Sequence, residues 1–350
     1  MSLSDFSGEL CQRRSGLRWR GAGCPFFVGD AGVEDSTPVR VDSRDEFLRQ
    51  FVSSERQESD VLTFQRSVEG YFLCGGRSCY VLSIPGLNRL RGSELRELLL
   101  GEDGGPGCRT GLHCVADLDE VGTLAAPGVS SREVQDCLIA FAHERPTRAL
   151  LLEPSVTGQP SLQTDDGSVS VALRDRMACL QDVFPLDDGT AIAPSGPVLG
   201  AIEARELDSE TLCFRKPSFG GRGRAGDPGG TLPDWFERLP VSAVTAGVPL
   251  IGDRFGTLRS WREWEGIRRS IEFGTRWLLY DVYDPLTGGR VERELRDFLF
   301  ALYDAGLLGG RRASEAFRVR CTALPRGDRW KLKLELRVRL RKLDPIEGRS

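Results

Sequence analysis

From Lys331 to Leu340 the chain reads KLKLELRVRL, apolar at every even position and charged at every odd one. Successive side chains on a strand point to opposite sides, so this alternation predicts a strand with Leu332, Leu334, Leu336, Val338 and Leu340 toward a core. The other face carries Lys331, Lys333, Glu335, Arg337, Arg339 and Arg341, five cations against one carboxylate. Two readings fit that face: the solvated side of an antiparallel sheet, or a strand that pairs with another chain.

Between Cys24 and Gly86 the pattern predicts strand, helix, helix, strand. CPFFVG (Cys24 to Gly29) is a short apolar run closed by glycine. Ser43 and Glu46 have capping-box spacing ahead of Phe47, Leu48 and Phe51, which share one helical face. A second helix covers about Leu62 to Leu73 and stops at Gly75 and Gly76, before the strand CYVLSI (Cys79 to Ile84). Ser93 opens a short helix through Leu100, and EDGGPG (Glu102 to Gly107) is a turn-rich loop. Glu120 to Leu124 reads as a strand. Ser130 and Glu133 cap a helix carrying Val134, Leu138 and Phe141 on one side, and Ala149 to Leu152 is again a strand. Strands alternating with helices of this length predict an α/β core, a largely parallel or mixed sheet flanked by helices.

Pro217 to Pro233 contains FGGRGRAGDPGG, without apolar periodicity, and predicts a flexible loop. It lacks the Gly-Lys-Ser/Thr ending of a phosphate-binding loop. Further on, Ile267 to Phe273 reads as helix and RWLLYDV (Arg276 to Val282) as an apolar strand. Val291 to Leu308 predicts the best helix of the chain, with Val291, Leu295, Phe298, Leu299, Leu302 and Leu307 at helical spacing and Gly309 and Gly310 at its end. Phe317 to Cys321 and the charged stripe follow as C-terminal strands.

The 350 residues, 40% hydrophobic and 28% charged, are those of a globular protein with room for two or three packed units. A net charge of -4 argues against a dedicated nucleic-acid binder, whose affinity for phosphate needs clustered cations. No run reaches the ~18 apolar residues of a membrane span. MSLSDFSGELCQRR at the N-terminus lacks the apolar stretch of a secretory leader. The ten cysteines are scattered without framework spacing and read as reduced and mostly buried.

Candidate chemistry is sparse. Cys108, His113 and Cys114, with Cys74 and Cys79 as remote additions, form the nearest thing to a metal set, but no paired CxxC is present and the chain has only two histidines. Ser195 in APSGPVLG lacks the glycine two positions earlier that a nucleophile elbow requires, and reads as a turn. His143 lies at a helix end, where it would cap carbonyls. The pairs Asp165 and Asp166, and Asp187 and Asp188, sit in turn contexts. No catalytic, cofactor-binding or metal residue is assigned, no cofactor is expected, and the chain is read as a non-enzyme.

The order of segments resembles the tail sheath proteins of contractile injection systems, the group that includes phage tails, R-type pyocins and extracellular phage-tail-like particles. SVEGYFLCGGRSCYVLSI (Ser67 to Ile84) is similar to the family's aromatic stretch, glycine pair and Cys-Tyr-Val strand. PFFVGDAG with PVRVDSRDEFLRQF, the block Gly111 to Pro154, IAPSGPVLGAIEARE (Ile192 to Glu206) and the block Ile267 to Cys321 follow in the family's order. The chain departs from it at both ends. Met1 to Arg20 lacks a Tyr-Pro-Gly-Val-Tyr arm, KLDPIEGRS replaces a Pro-Ala-Glu-Phe strand, and Pro217 to Trp264 lacks the Ala-Pro-Ala-Asn and Trp-Gly-Ala-Arg segments.

The resemblance implies a divergent N-terminal arm (1–22), a sheath core domain (23–206), a variable Gly-rich region (207–264), a sheath C-terminal domain (265–343) and a tail (344–350). It implies a structural subunit that stacks on copies of itself in hexameric rings or a helix around an inner tube, and meets baseplate and cap proteins, with no nucleic acid or direct membrane contact. Assembly would occur in the cytoplasm, the product being part of a phage tail or phage-tail-like particle. Lys331, Lys333, Glu335, Arg337, Arg339 and Arg341 would lie at the subunit interface, and Arg311, Arg312 and Glu315 at the inner tube. The alternatives are a sheath-like cap or baseplate-proximal adaptor, and a nucleotide- or metal-dependent α/β enzyme with its ligand at a strand's C-terminal edge.

Overall fold

The computed structural model describes residues 17–34, 36–52, 58–144, 148–153, 163–164, 167–168, 170–180, 184–185, 191–208, 212, 233, 236, 248–280, 285–326 and 329–341. The glycine-rich loop after Pro217, the aspartate pairs at 165–166 and 187–188 and both chain ends lie outside these residues. The chain divides into two compact units, one of 23–205 with 216–261 and one of 1–22, 206–215 and 262–350.

The first unit is built on a six-stranded mixed sheet. Its strands are β1 (Cys24–Gly29), β2 (Val39–Val41), β3 (Cys79–Ser83), β4 (Val121–Ala125), β5 (Ala149–Leu152) and β6 (Met177–Cys179), in the order β2-β3-β1-β4-β5-β6. All neighbours are parallel except β2, which runs antiparallel to β3 at one edge. The strand sequences are nearly unbroken apolar runs because both faces are covered. Phe26, Val28, Leu82, Leu124, Leu150 and Leu152 point into one core, with Val134, Leu138 and Phe141 of helix α3 (Arg132–Glu144). Phe27, Val81, Ala125, Ala149 and Leu151 point into the other. There they meet Phe47 and Phe51 of α1 (Arg44–Phe51), Phe64, Val68 and Tyr71 of α2 (Ser59–Leu73), and Val198 and Leu199 of α4 (Ser195–Glu203).

The local signals act as their chemistry requires. Glu46 N–H donates to Ser43 Oγ at 3.2 Å, and Glu46 Oε2 reaches back to Asp42 N–H at 2.8 Å. At the end of α2, Gly75 N–H bonds Phe72 O and Gly76 N–H bonds Tyr71 O, the paired bonds of a Schellman motif. At the expected Ser130/Glu133 box, Ser130 N–H goes to Asn88 Oδ1 at 3.2 Å instead of to Glu133. The first helical bond of α3 comes from Ser131 O, and Glu133 Oε1 accepts Gly92 N–H at 2.7 Å. His143 does not cap α3. It is exposed, and the carbonyl of Ala142 is taken at 2.7 Å by Nη2 of buried Arg176, which outreaches an imidazole on the solvent side.

The second unit has its own core. Leu17, Trp19, Ile267, Ile271, Val291, Leu295, Phe298, Leu299 and Leu302 are buried together. They come from the extended segment at 17–20, from α5 (Leu258–Gly274) and from α6 (Pro285–Asp304). Leu17 and Trp19 alternate with exposed Arg18 and Arg20, and Arg20 N–H donates to Ser270 Oγ at 2.9 Å. Arg262, fully buried, donates through Nε to Glu206 Oε1 at 2.5 Å.

Two expectations fail here. The described part of RWLLYDV is not a strand: Arg276–Tyr280 is a 3-10 turn, with Leu278 N–H on Thr275 O and Arg276 stacked 4.7 Å from the Phe273 ring centroid. An apolar run this short suits either conformation. The long helix starts at Pro285, a residue favoured at a helix N-terminus, and runs through the glycines at 288 and 289. It ends at Asp304, where Gly306 N–H bonds Tyr303 O, Leu307 N–H bonds Leu302 O and Gly306 adopts φ +81. Gly309 and Gly310 lie beyond that stop.

Candidate assembly interface

The charged stripe forms half of a long hairpin. β7 (Phe317–Arg326) pairs antiparallel with β8 (Arg329–Val338), Val319 opposite Leu336 and Cys321 opposite Leu334. Part of the apolar face sits on the second unit's core. Val319 is buried and Phe317, Cys321, Leu336 and Val338 are partly buried against it, but Leu334 is 40% exposed.

The two edges differ. Cys321 N–H of β7 donates to Glu292 Oε2 of α6 at 3.0 Å, so a helix side chain holds that edge. β8 ladders with β7 alone among the described residues. Past Val338 the chain continues as a bridge between Leu340 and Leu308: Gly309 N–H bonds Arg339 O, Arg341 N–H bonds Leu307 O and Arg339 N–H bonds Ala316 O. This ladder brings the two predicted residue groups together. Lys333, Glu335, Arg337, Arg339 and Arg341 are all exposed along β8 and its extension, and exposed Arg311, Arg312 and Glu315 follow the strand bonded to that extension. Of Lys331 only its strand position opposite Leu324 is described. Glu315 Oε2 accepts Arg311 N–H at 3.1 Å and so braces the turn.

Sequence reasoning missed the partner strand's contribution. Arg318 and Arg320 of β7 are exposed on the same face as Arg337 and Glu335, directly opposite them. The signal was present as FRVRC, a second alternating stretch, but the register that aligns it with the stripe is set by the turn.

The chemistry-bearing candidates of the first unit prove structural. Ser195 is the first residue of α4, not a turn, and its N–H donates to Glu153 Oε1 at 3.0 Å. Glu153, which no periodicity marks, is wholly buried at the end of β5, and desolvation pushes its carboxyl up to about 7. Several contacts gather at the C-terminal ends of β1 and β4, where open α/β sheets take ligands. Phe64 packs against Gly29, and Asn88 bridges Asp60 Oδ2, Gly128 O and Ser130 N–H. Asp30 accepts from Gly32 and Gly86 N–H. Among the described residues no group of three or more His, Cys, Asp or Glu side chains could hold a metal ion. The eight described cysteines are free thiols; burial pushes Cys74 up to about 12 and Cys179 up to about 11.

The sequence matches no protein-family profile, and no curated protein matches it either. Solved structures do. The chain is similar to the helical sheath of the anti-feeding prophage (AFP) in its contracted state, with a TM-score of 0.63 at 16% identity over 94% of this chain and 92% of that one. It is similar to a chain of the six-fold symmetrised AFP baseplate, with a TM-score of 0.62 at 14% identity over 95% and 93%. The sheath complex of PVC, an extracellular contractile injection system, in its contracted state matches with a TM-score of 0.58 at 14% identity over 93% and 91%. Over nearly its whole length, this chain has the fold of the sheath subunits of contractile injection systems.

Proposed function

We propose that the protein is a structural subunit of the contractile sheath of a phage-tail-like injection machine, assembling with copies of itself around an inner tube and driving its expulsion on contraction. The near-complete fold match to the AFP helical sheath carries this reading. The hairpin supports it, since a β8 edge that no other described strand covers suits β-augmentation, in which backbone bonds link subunits whose bodies rotate nearly rigidly. The cations of β8 are assigned to the subunit interface and Arg311, Arg312 and Glu315 to the inner tube. Exposed ion pairs are worth only ~0–1 kcal/mol each, so many repeated copies hold a tube that each can release. Baseplate and cap proteins complete the partner set, and assembly in the cytoplasm precedes incorporation into the particle.

Negative-stain imaging of the purified full chain tests the assignment. Helical tubes or six-fold rings are expected; a monomer at every protein and salt concentration, absent from particles when labelled, would overturn it. An end-of-sheath adaptor is the second reading, favoured by the comparable match to the AFP baseplate chain. Label along the whole particle identifies the main sheath, and label confined to one ring identifies the adaptor. For the tube contact, Arg311→Glu/Arg312→Glu subunits mixed with tube protein should assemble yet lose the tube, and normal retention would remove those residues from that role.

A further inference from the structure

Arg318 and Arg337 face each other across the hairpin, both exposed, and neither makes an ion pair among the described residues. Like charges directly opposite on a β-ladder are destabilising. The neighbouring pair, Arg320 and Glu335, is complementary, but Glu335 is already engaged by Lys333 Nζ at 2.8 Å. Its carboxyl is held below the usual range by that lysine first, with Arg320 and Arg337 adding to the effect. One carboxylate thus serves a face that also carries Arg339 and Arg341 in continuation.

We infer that the Arg318/Arg337 pair is a seat for carboxylates on a second copy of this chain, which dock on the cationic face of the hairpin separately from any strand added at the β8 edge. The charge balance names the occupant. The chain is net -4, yet the exposed charged residues of this face are six cations (Arg318, Arg320, Lys333, Arg337, Arg339 and Arg341) and one acid (Glu335), so the acidic excess lies on the rest of the same molecule. Two arginines at directly opposite ladder positions can match a carboxylate through paired charge-assisted hydrogen bonds. Their mutual repulsion in the free chain makes them better partners for an anion than for each other. The inference rests on the assembly reading above and adds the chemistry of its interface.

The test is Arg337→Glu in the full chain, with Arg318→Glu as its mirror. Each substitution places Glu opposite Arg, so the midpoint of thermal unfolding of the unassembled protein should rise by about one to two degrees. Self-association, followed by sedimentation at 50 to 300 mM salt, should weaken roughly tenfold at low salt and lose most of its salt dependence. A lowered midpoint would overturn the repulsion on which the seat depends. Unchanged association in both variants, while the parent protein assembles, would overturn the seat and leave the sheath assignment standing. A parent protein that fails to associate under any condition defeats both. If Arg337→Glu abolishes binding to short duplex DNA and leaves self-association untouched, the face serves a polyanion and the inference is wrong.

Discussion

Ser195 N–H donates to Glu153 Oε1 at 3.0 Å, while Glu153 Oε2 and Ser195 Oγ are buried without hydrogen-bond partners among the described residues. The carboxyl therefore anchors the N-terminus of α4 from inside the core, and burial outweighs the bond from Ser195 N–H to raise it from 4.5 to about 7. An acid raised on folding keeps its proton in the native state after the unfolded chain has lost it. Its stabilisation is complete below about pH 4.5, falls as pH rises to about 7 and is flat above. The loss amounts to roughly 3 kcal/mol. Glu153→Gln keeps the acceptor for Ser195 N–H and removes the titration. Urea unfolding between pH 4.5 and 8.5 should show this decline in the parent protein and not in the variant.

α4 lies on α2 at backbone contact distance. A Cβ on Gly200 would stand 2.1 Å from Tyr71 O, and one on Gly196 would stand 1.9 Å from Ser67 O. Helix propensity alone would make alanine better than glycine by about 1 kcal/mol. The contact reverses the sign, because neither backbone oxygen can yield without moving a helix. Gly200→Ala should destabilise the protein by ~2–4 kcal/mol in urea titration, and a gain in stability would show that the helices are not this close.

Much of this architecture is legible where periodicity is strong. Cys24–Gly29, Ala149–Leu152 and the heptad-like run of α6 are apolar patterns that packing has no reason to override. RWLLYDV was misread because a run of four or five apolar residues satisfies a strand and a buried turn equally. The start of α6 was missed because two glycines oppose helix locally, while Val291 and Leu295 bury the turns that follow. Glu153 carries no pattern beyond an acid closing ALLL, and its environment comes from α4, far along the chain. The cationic stripe was readable on β8, whereas its pairing with Arg318 depends on a register that alternation does not encode.

Arg262 offers a separate test in the second unit. Its side chain is fully buried and Glu206 is 14% exposed, with Nε and Oε1 2.5 Å apart. Removing the carboxylate takes one partner from a guanidinium that stays in the core, so Glu206→Leu should cost ~1–3 kcal/mol. Replacing both partners by apolar residues removes the desolvation cost as well. Glu206→Leu/Arg262→Met should therefore recover most of that loss in denaturant unfolding, and additive losses would show that the pair is not coupled.

Glu292 decides which hairpin edge is open. Its Oε2 takes Cys321 N–H at 3.0 Å and its Oε1 takes Arg296 Nη2 at 2.6 Å, so one helix side chain both pairs along α6 and caps β7. An uncapped strand edge is a template for unregulated pairing. Glu292→Ala should cost about 1 kcal/mol, since the carboxylate is partly solvated, and should speed hydrogen exchange at the Cys321 amide. It should also produce irregular aggregates in place of ordered assemblies, because two edges then compete for an added strand. Glu292→Gln retains an acceptor and should keep slow exchange and ordered products. Equal exchange in the alanine variant and the parent protein would mean that β7 is guarded by something other than this helix.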